Sequence, residues 1–283
     1  MMKHALGAKL LLIGSALLAC NATAHASERN DLPSCYDNLR LSEFKPQAVN
    51  RDLIMLVDKT VVFPKDIVSS AIAQAQRFTQ AGDRISIYSF SAFVGGEYLN
   101  MEWAGRIETP PTAQTADDMP IMKTKSLERC LQEQLRGAQV QIDRTVQRVA
   151  STASNDIARS EIIFTLRKVG EDMRARNMKN TRIFMISDML ENSDYLTFYA
   201  GNAIAAKDPA ASLQKLKQGK LLGDLSGAQV YVTGAGITTP NIKTSYRSGD
   251  LLDQLERFWA SYISSSNGKL AAFGAPKLNS DLK

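Results

Sequence analysis

The sequence predicts an α/β fold, a Rossmann-like three-layer α/β/α sandwich whose central sheet is mostly parallel with one antiparallel edge strand. Three short apolar runs support this prediction, at residues 53–57, 182–187 and 229–233. Continuous apolar runs of this length are typical of strands that are buried on both faces of a parallel sheet. Helical patterns separate the runs, and strands that alternate with helices favour a parallel sheet between two helix layers.

The first half of the chain supplies two strands, a helix and an edge hairpin. After the strand at 53–57, Pro64 opens a helix that continues to about Gln80. Residues 84–91 alternate in polarity and are predicted as the second strand. Gly95-Gly96 then indicates a turn into an antiparallel edge strand over residues 97–107.

The second half begins with an irregular loop at residues 108–120, which contains three prolines. The remaining helices are predicted at residues 123–149, 160–176 and 251–263, and the strands at 182–187 and 229–233. These elements make one domain over residues 51–275. An N-terminal extension at 27–50 precedes it, and a polar tail at 276–283 follows.

Residues 1–26 have the order of a secretory signal peptide. Lys3 and Lys9 precede an apolar run at residues 10–20, and the segment that ends at Ala26 fits cleavage before Ser27. An imperfect lipobox offers the alternative that Cys20 is lipidated. The run is shorter than the roughly 20 apolar residues that a membrane span needs. We therefore expect a periplasmic or secreted protein, or alternatively a membrane-anchored lipoprotein, with no transmembrane segment in the mature chain.

The charge of the chain gives no indication of a nucleic-acid partner. The chain has 34 basic and 29 acidic residues, and removal of Lys3 and Lys9 with the signal leaves a net charge of +3. The basic residues are interleaved with acidic ones and form no block. We expect no nucleic-acid partner.

The mature chain keeps two cysteines, Cys35 and Cys130. An even number of cysteines in an oxidising compartment favours a disulfide bond, and we predict one between these two residues. The alternative is a pair of buried free thiols.

The mature chain has no histidine, because His4 and His25 both lie in the signal peptide. This absence excludes Ser-His-Asp and Cys-His nucleophile chemistry and any imidazole-ligated zinc site. We therefore expect a protein that is not an enzyme.

Oxygen-bearing side chains follow the predicted strands. Asp58 and Thr60 follow the first strand, Ser160 opens a helix, and Asp188 follows a later strand. In open α/β sheets, ligands bind at the carboxyl ends of the strands. Carboxylates and hydroxyls are hard ligands that suit Mg²⁺, Mn²⁺ or Ca²⁺. The sequence therefore predicts a divalent metal site, with Mg²⁺ as the first candidate.

The order of elements and these four residues resemble the von Willebrand factor A (integrin I-like) family over roughly residues 50–275. Members of that family have a metal-ion-dependent adhesion site that contains a D-x-S-x-S loop, a later threonine and a later aspartate. Asp58 matches the first aspartate, Thr60 the first serine, Ser160 the threonine and Asp188 the late aspartate. The resemblance implies a domain that binds a protein partner through a bound metal.

Val62 departs from the family pattern, since it stands where the second serine is found and supplies no oxygen. Water would have to fill this position, and Mg²⁺ readily keeps several waters. The resemblance therefore implies a degenerate adhesion site.

The same residues have structural interpretations as well. Ser160 would serve as a helix N-cap. Asp58 and Asp188 would pair with Lys59 or Arg182, because buried carboxylates need partners. Two other functions also stay open, a metal-dependent hydrolase that acts on a phosphorylated or acidic substrate and a metal-free structural scaffold.

Overall fold

The computed structural model describes residues 29–92, 98–157, 159–200, 203–204, 208–237 and 249–283. The predicted signal peptide at 1–26 with Cys20 and the predicted turn at Gly95-Gly96 lie outside the described residues. Among the helices of the described ranges, none combines the length and the apolar character that a membrane crossing requires.

The described strands form a six-stranded sheet in the order β3-β2-β1-β4-β7-β8. Its strands are β1 Arg51–Asp58, β2 Asp83–Phe90, β3 Leu99–Arg106, β4 Thr181–Ile186, β7 Gln229–Thr233 and β8 Lys269–Gly274. Strand β3 is antiparallel to β2, and the other neighbours are parallel. A small hairpin of β5 Tyr199–Ala200 and β6 Ala203–Ile204 lies outside this sheet.

Helices connect the strands. They are α1 Cys35–Asn38, α2 Lys65–Phe78, α3 Ala113–Asp117, α4 Ile121–Ser151, α5 Ile162–Ala175, α6 Pro209–Gln218 and α7 Gly249–Ser265. Pro64 precedes α2 as its N-cap, which suits the fixed φ angle of proline at a helix start. Asp208 caps α6 by accepting a hydrogen bond from the Ala210 N–H group.

The sheet separates two apolar cores. Leu53, Met55 and Val57 point to the face that α2 and α4 cover, whereas Ile54 and Leu56 point to the face that α5, α6 and α7 cover. Successive side chains of a strand alternate between the two faces. This arrangement confirms the predicted three-layer sandwich with one antiparallel edge strand.

The N-terminal segment packs against the domain and is covalently tied to it. Cys35 and Cys130 form the predicted disulfide bond, with an S–S distance of 2.07 Å. Around the bond lies a third apolar cluster that includes Tyr36, Leu41 and Leu127. The extension therefore joins the first half of α4 to the edge of the domain.

Several elements differ from the sequence prediction. The segment predicted as a polar tail packs against the domain. Its two leucines, Leu278 and Leu282, are buried in the core that includes the apolar side chains of α2, because burial removes their apolar surface from water. The proline-rich loop contains the short helix α3, which Thr112 caps. Helix α5 begins at Ile162 and not at Ser160, whose backbone pairs with Asn192 instead.

Candidate metal site

The carboxyl ends of β1 and β4 bring the candidate residues together. The two strands are parallel neighbours, and Val57 is opposite Ile186 in their register. Asp58, the last residue of β1, and Ser187, the first residue after β4, therefore lie next to each other. Both are fully buried.

Asp58 accepts hydrogen bonds from groups on three segments. Its Oδ1 atom accepts from the Thr60 N–H group at 2.9 Å and from Thr60 Oγ1 at 2.6 Å. Its Oδ2 atom accepts from Ser187 Oγ at 2.8 Å and from Ser160 Oγ at 3.4 Å. Burial raises the pKa of Asp58, and these hydrogen bonds oppose that rise. The carboxylate thus has hydrogen-bond partners that partly compensate for the loss of water.

Asp188 is the second carboxylate at this edge and is 3 % exposed. Its Oδ1 atom accepts a hydrogen bond from the Leu190 N–H group at 2.9 Å. Burial raises the pKa of Asp188 well above its usual value, and the nearby negative charge of Asp58 raises that pKa further. The two aspartates therefore lie close enough to repel each other when both are ionised.

A turn that contains two glycines follows β7 and packs against the backbone of Ser187 and Asp188. Gly234 has φ +97°, and a Cβ atom there would lie 2.7 Å from Phe63 Cε1 and 3.1 Å from the carbonyl oxygen of Ser187. The Gly236 N–H group donates a hydrogen bond to the carbonyl oxygen of Asp188 at 2.9 Å. Only glycine combines this backbone conformation with such close packing. The Gly234-Ala-Gly236 segment therefore positions the Ser187-Asp188 backbone.

The structure brings all four sequence-predicted ligands to one place. Thr60 and Ser160 hydrogen-bond to Asp58, and Asp188 interacts with it electrostatically. Ser160 does not cap a helix, since Glu161 occupies the N-cap position of α5. Its hydroxyl faces the Asp58 carboxylate instead.

The predicted pairing of these aspartates with Lys59 or Arg182 is not formed. Arg182 lies at the opposite end of β4, where it donates hydrogen bonds to Asn180 and to the carbonyl oxygen of Lys283. No hydrogen bond or ion pair of the Lys59 side chain to either carboxylate occurs among the described residues. Lys59 contributes its backbone N–H group to the carbonyl oxygen of Phe90.

Val62 supplies no oxygen to the carboxylates, because its side chain is a hydrocarbon. Its side chain is 50 % exposed. Its N–H group donates a hydrogen bond to Asn155 Oδ1 at 2.9 Å, which joins the loop after β1 to the segment after α4. Val62 thus belongs to the solvent-facing rim of the site.

Two further residues of this site, Ser187 and Tyr199, were not predicted from the sequence. Ser187 provides one of the hydrogen bonds to Asp58, and a signal for it was present, since it is a hydroxyl residue at the end of an apolar strand. Tyr199 is the second residue, and its pKa is raised by burial and by the charges of Asp188 and Asp58. It lies 13 residues beyond Ile186, the end of β4, and no local pattern links it to the site.

The donor set fits a hard divalent cation. Two buried carboxylates and three hydroxyls converge, and no lysine or arginine of the described residues neutralises the carboxylates by a hydrogen bond or an ion pair. Buried charges ordinarily have a counter-ion or a metal. The described part of the chain has no cluster of three or more His, Cys, Asp or Glu residues that could hold a metal, so a site here depends on hydroxyl ligands and water.

Comparison with known proteins gives structural neighbours only. No family model matches the chain, and no curated protein matches it. An aerotolerance-related membrane protein from Bacteroides fragilis is 12 % identical, with a TM-score of 0.34, over 80 % of this chain and 90 % of that one. Three N-terminal domains of the type V pili tip protein Mfa5 from Porphyromonas gingivalis are 18 % identical, with a TM-score of 0.27, over 69 % of this chain and 30 % of that one. A membrane-spanning protein from Vibrio fischeri is 15 % identical, with a TM-score of 0.21, over 80 % of this chain and 90 % of that one.

Proposed function

We propose that this chain is an exported binding domain of the von Willebrand factor A type, which recognises a protein partner through a divalent metal ion. The observation that carries the proposal is the Asp58–Asp188 pair. Both carboxylates are buried and share one edge of the sheet, and no described cationic side chain compensates for their charge. Mg²⁺ is the first candidate ion, with Mn²⁺ and Ca²⁺ as alternatives.

The residues that would hold the ion are Asp58, Thr60, Ser160 and Asp188. A bound cation would stabilise the ionised form of both carboxylates and leave water ligands that a partner's oxygen can replace. Ser187 would act indirectly, because its hydroxyl orients Asp58 from the neighbouring strand.

The rim around the carboxylates supports a protein partner. Val62 is 50 % exposed and Tyr195 is 41 % exposed, so two large apolar side chains face solvent on the segments that follow β1 and β4, the two strands that end at the site. Arg159 and Asp194 form an ion pair on the same rim. An exposed surface that mixes apolar and charged side chains is typical of protein interfaces.

Direct metal binding tests the proposal. Isothermal titration of the purified chain with Mn²⁺ is expected to give one site, and Asp188→Asn is expected to abolish it. Asp194→Asn is the matched control, because Asp194 lies on the same rim but is 83 % exposed and contributes nothing to the buried pair. Equal Mn²⁺ binding by the wild type and Asp188→Asn would contradict the assignment.

Two other experimental results would favour the alternative functions, the metal-dependent hydrolase and the metal-free scaffold. A metal-dependent rate of p-nitrophenyl phosphate hydrolysis that Asp188→Asn abolishes would indicate the hydrolase. The absence of any binding of Mg²⁺, Mn²⁺ or Ca²⁺ would indicate the metal-free scaffold, in which hydroxyls alone hold Asp58.

A further inference from the structure

Helix α4 has an outer face that the site does not use. The helix is 31 residues long, and its buried side chains are Leu127, Leu131, Gln134, Ala138, Ile142, Thr145, Val146 and Val149. On the opposite side lie Glu133, Gly137, Val140 and Arg144, at spacings of four, three and four residues. Residues three and four apart are neighbours on a helix surface, so these four form one continuous stripe, which we call the outer stripe.

The outer stripe is only partly covered within the chain, where Val140 borders a groove between α4 and the α2 residues Ala73, Gln76 and Arg77. Val140 is 45 % exposed, and a Cβ atom built on Gly137 would find no other atom within 4 Å. Glu133 and Arg144 are exposed and form no ion pair or side-chain hydrogen bond with any described residue. Glycine inside a helix costs about 1 kcal/mol relative to alanine, and the packing within this chain gives no reason for it at position 137.

The outer stripes of two copies are complementary when the two helices are antiparallel. A twofold axis that passes between Gly137 and Val140 would place Val140 of each copy over Gly137 of the other. The same axis would place Glu133 of each copy opposite Arg144 of the other. Both the apolar contact and the two ion pairs then form at once, as a closed twofold interface requires.

We propose that two copies of this chain associate through an antiparallel crossing of their α4 helices at the outer stripe. The space above Gly137 receives the Val140 side chain of the second copy, which lets the helices approach closely. The two flanking Glu133–Arg144 pairs set the antiparallel direction. A single helix crossing covers less area than the roughly 1,200 to 2,000 Å² of a stable interface, so the association is weak and concentration-dependent.

This surface is separate from the candidate metal site. The outer stripe faces away from the sheet, whereas Asp58 and Asp188 are buried at the carboxyl ends of β1 and β4. Self-association should therefore be the same with Mg²⁺ and with a chelator, and its failure would not affect the metal proposal.

Charge reversal tests the ion pairs. Sedimentation velocity of the full exported chain over a concentration series is expected to show a monomer–dimer equilibrium. Glu133→Arg and Arg144→Glu should each weaken dimerisation about tenfold or more, because each places like charges opposite one another. An equimolar mixture of the two variants should recover it, since each reversed residue then meets an opposite charge. The matched control is Glu128→Arg, which makes the same charge change on α4 outside the stripe.

Substitution of Gly137 separates dimerisation from folding. Gly137→Ala should raise the melting temperature, because alanine favours the helix, and yet weaken dimerisation, because the methyl group occupies the space for Val140. A purely structural glycine would change the melting temperature alone. The proposal is overturned if the wild type stays monomeric at all concentrations, or if neither charge reversal nor Gly137→Ala alters the dimer.

Discussion

Ser187 Oγ donates a 2.8 Å hydrogen bond to Asp58 Oδ2 and so joins the first residue beyond β4 to the last residue of β1. Ser187 Oγ also accepts a hydrogen bond from the Met189 N–H group at 3.0 Å. One hydroxyl thus orients the buried carboxylate and fixes the chain as it leaves the strand past Asp188. The geometry of both aspartates depends on this contact.

Ser187→Ala should therefore destabilise the domain by about 1 to 3 kcal/mol, the usual cost when a buried polar group loses its hydrogen-bond partner. Urea unfolding measures the change in the free energy of unfolding. Ser126→Ala is the control, since Ser126 is exposed on α4 and bonds only to the Met122 carbonyl oxygen. Equal stability of the two variants would show that Asp58 does not depend on Ser187.

Glu191 gives the stability a pH dependence. It is fully buried, and its Oε2 atom accepts a 3.0 Å hydrogen bond from the Ile163 N–H group at the start of α5. Burial raises the pKa of Glu191 to about 8. Because the folded-state pKa is raised, the contribution of Glu191 to stability is fully present below its ordinary pKa and is lost as the pH rises through 8.

Glu191→Gln should remove this pH dependence, because glutamine is neutral at every pH and its amide oxygen can still accept from Ile163. Relative to the wild type, the variant should become more stable from pH 6 to pH 9, by an amount on the order of a few kcal/mol. Urea unfolding at each pH provides the measurement, and Glu256→Gln, which makes the same change at an exposed position on α7, is the control. Parallel stability curves for the wild type and Glu191→Gln would contradict the assignment.

The Cys35–Cys130 bond closes a loop over a sequence separation of 95 residues. Cys130→Ser should cost about 2 to 5 kcal/mol, because the unfolded chain regains the entropy of the open loop. Hydrogen exchange should show increased exposure at the start of α4 and little change in β1 and β4. Cys35→Ser should behave identically, and a uniform loss of protection across the sheet would instead show that the bond holds the whole fold.

The sequence predicted the central strands well, because apolar side chains on both faces make β1, β4 and β7 continuous apolar runs. The edge strand β8 was not predicted, since its apolar run at residues 270–273 is only four residues long and half of it is alanine, a residue that is depleted in strands. The packing of Leu278 and Leu282 was likewise hidden, because two apolar residues in a polar segment specify no partner. Long-range pairing decides both features.

The candidate site divides in the same way. Asp58, Thr60 and Asp188 could be chosen from the sequence, because each lies next to a strand end that the apolar runs located. Ser160 was expected at a helix start, but its backbone pairs with Asn192, a contact that depends on how two distant loops meet. Tyr199 approaches the aspartates through the β5–β6 hairpin, which no local pattern predicted.

The measurement that tests the central claim most directly is the melting temperature of the domain, titrated with Mg²⁺, Mn²⁺ and Ca²⁺, for the wild type and Asp188→Asn. A hundredfold excess over Kd should stabilise the wild type by about 2.7 kcal/mol, a rise of about 5 to 10 °C for a domain of this size. Asp188→Asn should melt higher than the wild type without metal, because it removes a buried charge, and should show no rise with metal. The absence of a rise in the wild type, or an equal rise in Asp188→Asn, would contradict a metal site at the Asp58–Asp188 pair.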